Sequence, residues 1–451
     1  MKRFSLILIL AGVALALAPT QLAAGWARTY GGEGYDAGFF VLQTDDGGYI
    51  VLGSVTLSGV ERSGLFKTDA LGNILWTKSY GGSHMQITSD GGYIIVSGAN
   101  FEGRTCLRLL KTDANGDTIW TRIYHEEWGL YAGYWVEETD DGGYIVSGRT
   151  GSLSDAWFLK TDEDGDILWT RMYRNLWRCS VVRQTSDGGY IFLSGTFGFG
   201  TPGAIWLLKT DSQGDSVWAR TYCGEEGWAY PRSVEQTPDG GYVIVEVTGS
   251  AENGDEVWLL KTDSKGDTLW TRTIGSAEID WAHYGEMTRD GGCVITGHTQ
   301  SSDPEDQDLW LIKTNENGDT LWTATYGGAG LDWGFHVRQT SDGGYIITGI
   351  TRSFGAGAED LWLIKTEANG DTLAVTEEPA AVSVDWQVNS IGSQIVLRYS
   401  DRPQGFHAAI FNASGQKVDE LHSDLQASTI TWGRGDEPGC LLHYAHRREV
   451  V

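Results

Sequence analysis

Short apolar runs recur along residues 25–376 with a period of 44 to 52, each bounded by a glycine-containing polar turn. Four runs make one period. The first ends in Val-x-Gln-Thr (Val182–Thr185, Val337–Thr340), and the second reads like Gly344–Gly349. The third reads like Leu361–Thr366 and the fourth like Leu168–Tyr173. Their Val, Ile, Trp, Tyr and Thr content suits a pleated, buried surface, so all four are predicted strands. Third runs such as Trp206–Thr210 are apolar on both faces, as in a sheet held between two others. No stretch sustains a 3.6-residue apolar period, so the pattern predicts next to no helix.

The turns carry their own chemistry. Asp-Gly-Gly begins at Asp46, Asp90, Asp141, Asp187, Asp239, Asp290 and Asp342, joining the first and second strands. Glycine supplies the positive φ that a tight hairpin needs. Lys-Thr closes each third strand, at Lys67, Lys111, Lys160, Lys209, Lys261, Lys313 and Lys365. A turn of the type Asp113–Asp117 then leads to the fourth. There the first Asp can accept a backbone N–H as an Asx-turn while Gly takes the left-handed position. The Trp that opens the fourth strand can dock on a neighbouring sheet, and burying such a ring contributes about 3 kcal/mol.

Seven such units arranged radially form an all-β, seven-bladed β-propeller with four-stranded blades. The last unit, Asp360–Val375, lacks its Trp-Thr-x-x-Tyr half, which appears instead at Trp26–Tyr30. The N-terminal strand is therefore expected to close the last blade, covering an edge that would otherwise stay unpaired. Alternatively, Thr372–Val375 forms the fourth strand and the N-terminal segment adds outside it.

Residues 1–24 begin with Lys2 and Arg3, continue through an apolar stretch and end in small residues, the pattern of a signal peptide. Export to the cell surface or medium is the expectation, with no membrane span after cleavage. The propeller then covers residues 25–376 and a linker 377–384, and a small β-sandwich-like domain occupies 385–451. That tail contains Leu397–Ser400, Ile410–Val418 and Ile430–Trp432 followed by Gly439, and on these features it resembles the C-terminal sorting domain of the type IX secretion system. The stretch Gly439–Val451 departs from that pattern. The resemblance implies recognition by the secretion machinery. The repeat is similar to secreted bacterial β-propeller repeats found ahead of such domains, and its Lys-Thr-Asp-x-x-Gly-Asp-x-x-Trp segment resembles the tryptophan-docking turn of quinoprotein propellers.

The net charge of −27 argues against a nucleic-acid partner, since phosphate binding wants a basic surface. The five cysteines are widely spaced and form no C-x-x-C pair, so buried thiols are expected rather than a disulfide framework or zinc site.

Both regular turns fall at one end of every blade, which leaves the variable loops to the other face, where sites usually reside. On that face Tyr35, Trp128, Trp177, Trp228, Trp281 and Trp333 precede successive first strands, several beside acids such as Asp280 and Asp332. Aromatic rings beside carboxylates suit sugar rings or basic peptides, although the same rings could serve only to pack blades. Asp162–Asp166 looks like part of a calcium loop but lacks the closing Glu, and an Asx-turn explains it equally. His84, His283 and His336 could face the channel, without a metal-ligand spacing. No nucleophile motif is present, and neither a catalytic residue nor a cofactor is expected. The sequence thus points to an exported, monomeric, non-catalytic protein that binds glycan or protein ligands. A polysaccharide-active hydrolase or lyase is the alternative. A quinoprotein dehydrogenase is a weaker one, lacking the adjacent Cys pair and eighth blade.

Overall fold

The computed structural model describes residues 25–372 except the loop segments 58–59, 102–103, 126–129, 151–154, 175, 197–203, 224–228, 251–253, 276–278 and 301–305, together with strands between 387 and 441. No helix occurs among the described residues. Contacts divide the chain into Met1–Pro379 and Ala380–Val451.

The first unit is a ring of seven four-stranded antiparallel sheets. Strand β1 (Trp26–Tyr30) comes first. Blade 1 is β2–β5 (Ala37–Gln43, Tyr49–Leu57, Val60–Thr68, Ile74–Lys78), and blade 2 is β6–β9 (His84–Ile87, Tyr93–Phe101, Arg104–Thr112, Thr118–Tyr124). Blade 3 is β10–β13 (Leu130–Glu138, Tyr144–Thr150, Asp155–Thr161, Ile167–Tyr173), and blade 4 is β14–β17 (Leu176–Gln184, Tyr190–Thr196, Ile205–Thr210, Ser216–Tyr222). Blade 5 is β18–β21 (Ala229–Gln236, Tyr242–Ser250, Gly254–Thr262, Thr268–Ile274), and blade 6 is β22–β25 (Asp280–Met287, Cys293–Gln300, Gln307–Thr314, Thr320–Tyr326). Blade 7 has β26–β28 (Asp332–Gln339, Tyr345–Thr351, Asp360–Thr366) and takes β1 as its fourth strand, from Trp26↔Lys365 to Tyr30↔Leu361. The N-terminal strand therefore pairs directly with β28, whose two edges are taken by β1 and β27.

Two repeated devices explain the repeat. In every blade the Lys of Lys-Thr is buried and reaches the Asp of Asp-Gly-Gly, as in Lys67–Asp46 at 2.8 Å and Lys111–Asp90 at 2.7 Å. The same ammonium donates to the next carbonyl, Thr68 O for Lys67 (3.0 Å). The two glycines are needed for different reasons. Gly47 has φ +80°, while a methyl on Gly48 would stand 2.2 Å from Thr68 O.

The second device joins blades. The Trp of each fourth strand lies under the turn glycine of the following blade, so that a methyl on Gly116 would meet the Trp76 ring at 2.8 Å. In every blade but the fifth, the Tyr four residues on donates to that glycine's carbonyl, as in Tyr124 to Gly165 (2.6 Å) and Tyr222 to Gly266 (2.6 Å). In blades 1 to 5 the basic side chain two residues after the Trp pairs with the turn acid, as in Arg171–Asp215 at 2.9 Å. Strand β1 repeats this docking on blade 1: Trp26 Nε1 donates to Ala70 O (3.1 Å), Arg28 Nε to Leu71 O (2.7 Å) and Tyr30 Oη to Gly72 O (2.5 Å). The N-terminal segment thus completes blade 7 and locks it to blade 1. Gly25 packs against Asp371 and Thr372, where a methyl would fall 2.9 Å from backbone atoms of both.

Cys106 and Cys293 are buried thiols; Cys223 is exposed, contrary to expectation, because it follows the end of β17 in an inter-blade connection. The Asp162 turn repeats those of other blades: its carboxylate accepts the N–H groups of Asp164 (3.1 Å) and Asp166 (2.8 Å), so the Asx geometry accounts for it.

The second unit contains two three-stranded sheets. One is β29 (Gln387–Ile391), β30 (Gln394–Tyr399) and β33 (Ser428–Trp432). The other has β31 (Phe406–Asn412) between β32 (Lys417–Ser423) and β34 (Cys440–Leu441). The leader 1–24 and the linker 377–384 lie outside the described residues.

Candidate functional site

The first strands of the blades contact one another around the ring and line its axis. Each runs from the variable-loop face to the Asp-Gly-Gly face, so offset along the strand sets depth. Three layers result.

Nearest the regular turns is a layer of charge. Arg183 reaches Glu137 (3.3 Å), Glu235 (3.1 Å) and the Tyr284 hydroxyl (3.1 Å), and Arg338 pairs with Glu286 at 2.6 Å. These acids also accept main-chain N–H groups from the following blade, Gln184 to Glu137 (2.9 Å) and Met287 to Glu235 (3.0 Å). Burial pushes the Glu137 and Glu286 carboxyls up against the pull of Arg183 and Arg338 respectively.

Above it the axis is filled. Phe40 meets His84 (4.5 Å), Trp135 (5.9 Å), Tyr284 (6.3 Å) and His336 (4.3 Å). His84 Nδ1 accepts from Val136 N (3.2 Å) and His336 Nδ1 from Val41 N (3.3 Å), and burial holds both imidazoles well below their ordinary pKa. His84 and His336 therefore face the axis as neutral side chains that tie one blade to another.

The third layer opens on the variable-loop face, and β-bulges shape it. In β2, β10, β18, β22 and β26 the register shifts at the same place, around Phe39, Tyr134, Arg232, His283 and Phe335. A bulge bends the strand and re-aims one side chain. Phe39 and Phe335 stack at 6.2 Å, with His283 edge-on to Phe335 at 5.1 Å. His283 Nε2 lies 3.2 Å from His298 Nδ1, and the His298 ring is stacked on Trp333 (4.7 Å) and parallel to Trp281 (6.5 Å). Tyr230 packs against Trp281 at 5.5 Å and the Arg232 guanidinium lies over its ring at 5.2 Å. Trp333 Nε1 donates to Gln307 Oε1 at 2.8 Å. Burial, then the Arg232 charge, pull His298 down to about 4. An aromatic ladder thus spans blades 5, 6 and 7 and ends at Phe39, which is 36% exposed.

Of the six aromatic positions singled out in the sequence, the structure joins Trp281 and Trp333 through His298. Both belong to first strands rather than preceding them. Tyr35 stands apart, 54% exposed, beside Glu359, which Arg352 Nε binds at 2.9 Å. Trp177 is the second residue of β14, with a side chain outside the described residues, as are Trp128 and Trp228. Sequence reasoning missed Phe39, Tyr230, Arg232, His298 and Phe335. Phe39, Arg232 and Phe335 share one signal with His283: each stands five residues before the Thr that follows its first strand. Among the described residues no group of three or more His, Cys, Asp or Glu could hold a metal ion.

No family model and no curated protein matches the chain. Solved structures similar to it include a protein of unknown function from Bacteroides caccae, 13% identical over 62% of this chain and 91% of that one, with a TM-score of 0.38. Another is a protein of unknown function from Dyadobacter fermentans (10%, 66% and 96%, 0.38). A third is the Pan2 WD40 domain of Neurospora crassa (10%, 76% and 92%, 0.45).

Proposed function

We propose that this propeller is an exported, non-catalytic binding protein that presents its variable-loop face to a glycan or protein ligand, with the C-terminal unit serving as a sorting-type tail. The observation that supports this most is the aromatic ladder Tyr230–Trp281–His298–Trp333, continued by Phe335 and Phe39 at the mouth of a closed axis. Rings in that setting offer flat apolar faces to sugar C–H groups, while Arg232 and the imidazoles supply polar contacts. The leader pattern of residues 1–24 and the sorting-domain resemblance of residues 385–451 support export.

The test is to immobilise the full-length protein, screen it against arrays of polysaccharides and peptides, and analyse the same wells for products. Retention without products is expected, weakened at least about tenfold by Trp333→Ala with the fold intact. New products would overturn the non-catalytic reading and favour a hydrolase or lyase. Retention unaffected by Trp333→Ala or Phe39→Ala would move the site elsewhere.

A further inference from the structure

The connections that leave blades 6 and 7 share one spelling, Tyr-Gly-Gly-x-Gly-x-Asp, at Tyr326–Asp332 and Tyr30–Asp36. In each, the first glycine marks a notch between two carboxylates. A methyl on Gly31 would lie 2.0 Å from Asp360 Oδ1 and 2.5 Å from Asp36 Oδ2. One on Gly327 would lie 1.8 Å from Asp308 Oδ1 and 2.8 Å from Asp332 Oδ2. The two oxygens of each pair therefore face the same glycine from opposite carboxyls.

Asp36, Asp332 and Asp360 are fully or almost fully buried, and the Asp308 oxygen in the notch is buried without a donor. The other bonds come from neutral groups. Gly32 N (2.8 Å) and Thr56 N donate to Asp36, Ala356 N donates to Asp360 (2.8 Å), and Gly328 N (3.0 Å) and Ser353 Oγ (2.6 Å) donate to Asp332. Around the first pair stand Tyr35 and Glu359, and the nearby cation, Arg352, is engaged with Glu359. Around the second stands Asp306. Among the described residues no lysine, arginine or histidine is ion-paired with any of the four.

Two carboxylates so close, with no cation between them, disfavour each other's ionised form. We propose that each pair binds one proton, carried on the Asp360 carboxyl beside Asp36 and on the Asp308 carboxyl beside Asp332, and that the first pair makes closure of the ring proton-dependent. That pair sits at the end of the closing ladder: Tyr30↔Leu361 is its last rung, next to both Gly31 and Asp360. Burial chiefly, and then the Asp36 charge, push the Asp360 carboxyl up to about 6 against the Ala356 N–H, and burial with Asp306 and Asp332 raises Asp308. A raised carboxyl pKa means that the closed form holds a proton the opened form releases. Closure is favoured at the acid end, and that contribution is lost as pH rises from about 4 through about 6.

Hydrogen exchange of the β1 amides in the full chain, corrected for intrinsic rate, reads this directly. Protection should fall by up to about a hundredfold between about pH 4 and pH 7. Asp360→Asn should flatten the profile, and Asp308→Asn, one joint away, should leave it in place. A flat wild-type profile, or the same slope in Asp360→Asn, would overturn the proposal. If Asp360→Asn does not fold, Asp36→Asn must move the fall in protection to lower pH in its place. Isotope-edited infrared spectra of the wild-type protein must also show a protonated aspartic carbonyl that disappears above about pH 6.

Discussion

Blade 5 carries Ile274 where β1 and four of the other fourth strands end in a docking tyrosine; its neighbour's turn carbonyl, Gly318 O, therefore receives no phenol. The tyrosines elsewhere are buried or partly buried donors, and burial raises the pKa of Tyr124 and Tyr222, keeping the hydrogen on oxygen. Ile274→Tyr should supply the missing bond and stabilise the protein by about 1 kcal/mol, seen as a higher midpoint in denaturant melts. At this scale the sequence was informative where a residue repeats. Each Asp-Gly-Gly announces a turn because only glycine tolerates both the left-handed φ of Gly47 and the carbonyl pressed on Gly48. It was silent on His298, which sits in a second strand and acquires its role only when Trp281 and Trp333 close on it from two first strands.

Among the elements, β1 bears the most on integrity. It is held to β28 by five residue pairs and to the blade 1 turn by three side chains, and the other fourth strands are covalently continuous with their blades. Deleting residues 25–30 should remove at least the Trp26 contribution, about 3 kcal/mol, and leave the β28 edge bare. A lowered melting temperature, partly restored by a peptide of residues 25–30 added in trans, is the expected outcome. This joint was legible because a fragment missing from one end of the chain reappeared at the other. The bulges were not legible. They add one residue to strands whose alternation looks regular, and it takes register against the second strand to show that Phe39, His283 and Phe335 have been turned toward the mouth.

On the scale of the molecule, identical Lys–Asp pairs act in parallel. Hydrogen bonds from the lysine and a threonine outweigh partial burial to hold Asp46, Asp90 and Asp187 at about 2, and at Asp239 the threonine bond leads to the same result. A depressed carboxyl stabilises the folded state above its unfolded pKa of about 3.9, and that stability is lost as pH falls toward about 2. Thermal melts should therefore drop steeply between about pH 4 and about pH 2, and Asp187→Asn should make the drop shallower. This window lies below the one in which the aspartate pair at the clasp titrates, so the two can be separated.

The packing of Gly25 against Asp371 and Thr372 brings the two ends of the ring together. Topologically the propeller is already a loop with one bond missing. A short linker from residue 372 to residue 25, with the chain cut instead in a variable connection between two other blades, would give a circular permutant with the same blades in the same order. The seam now closed by hydrogen bonds, docking and a protonated aspartate would then be peptide.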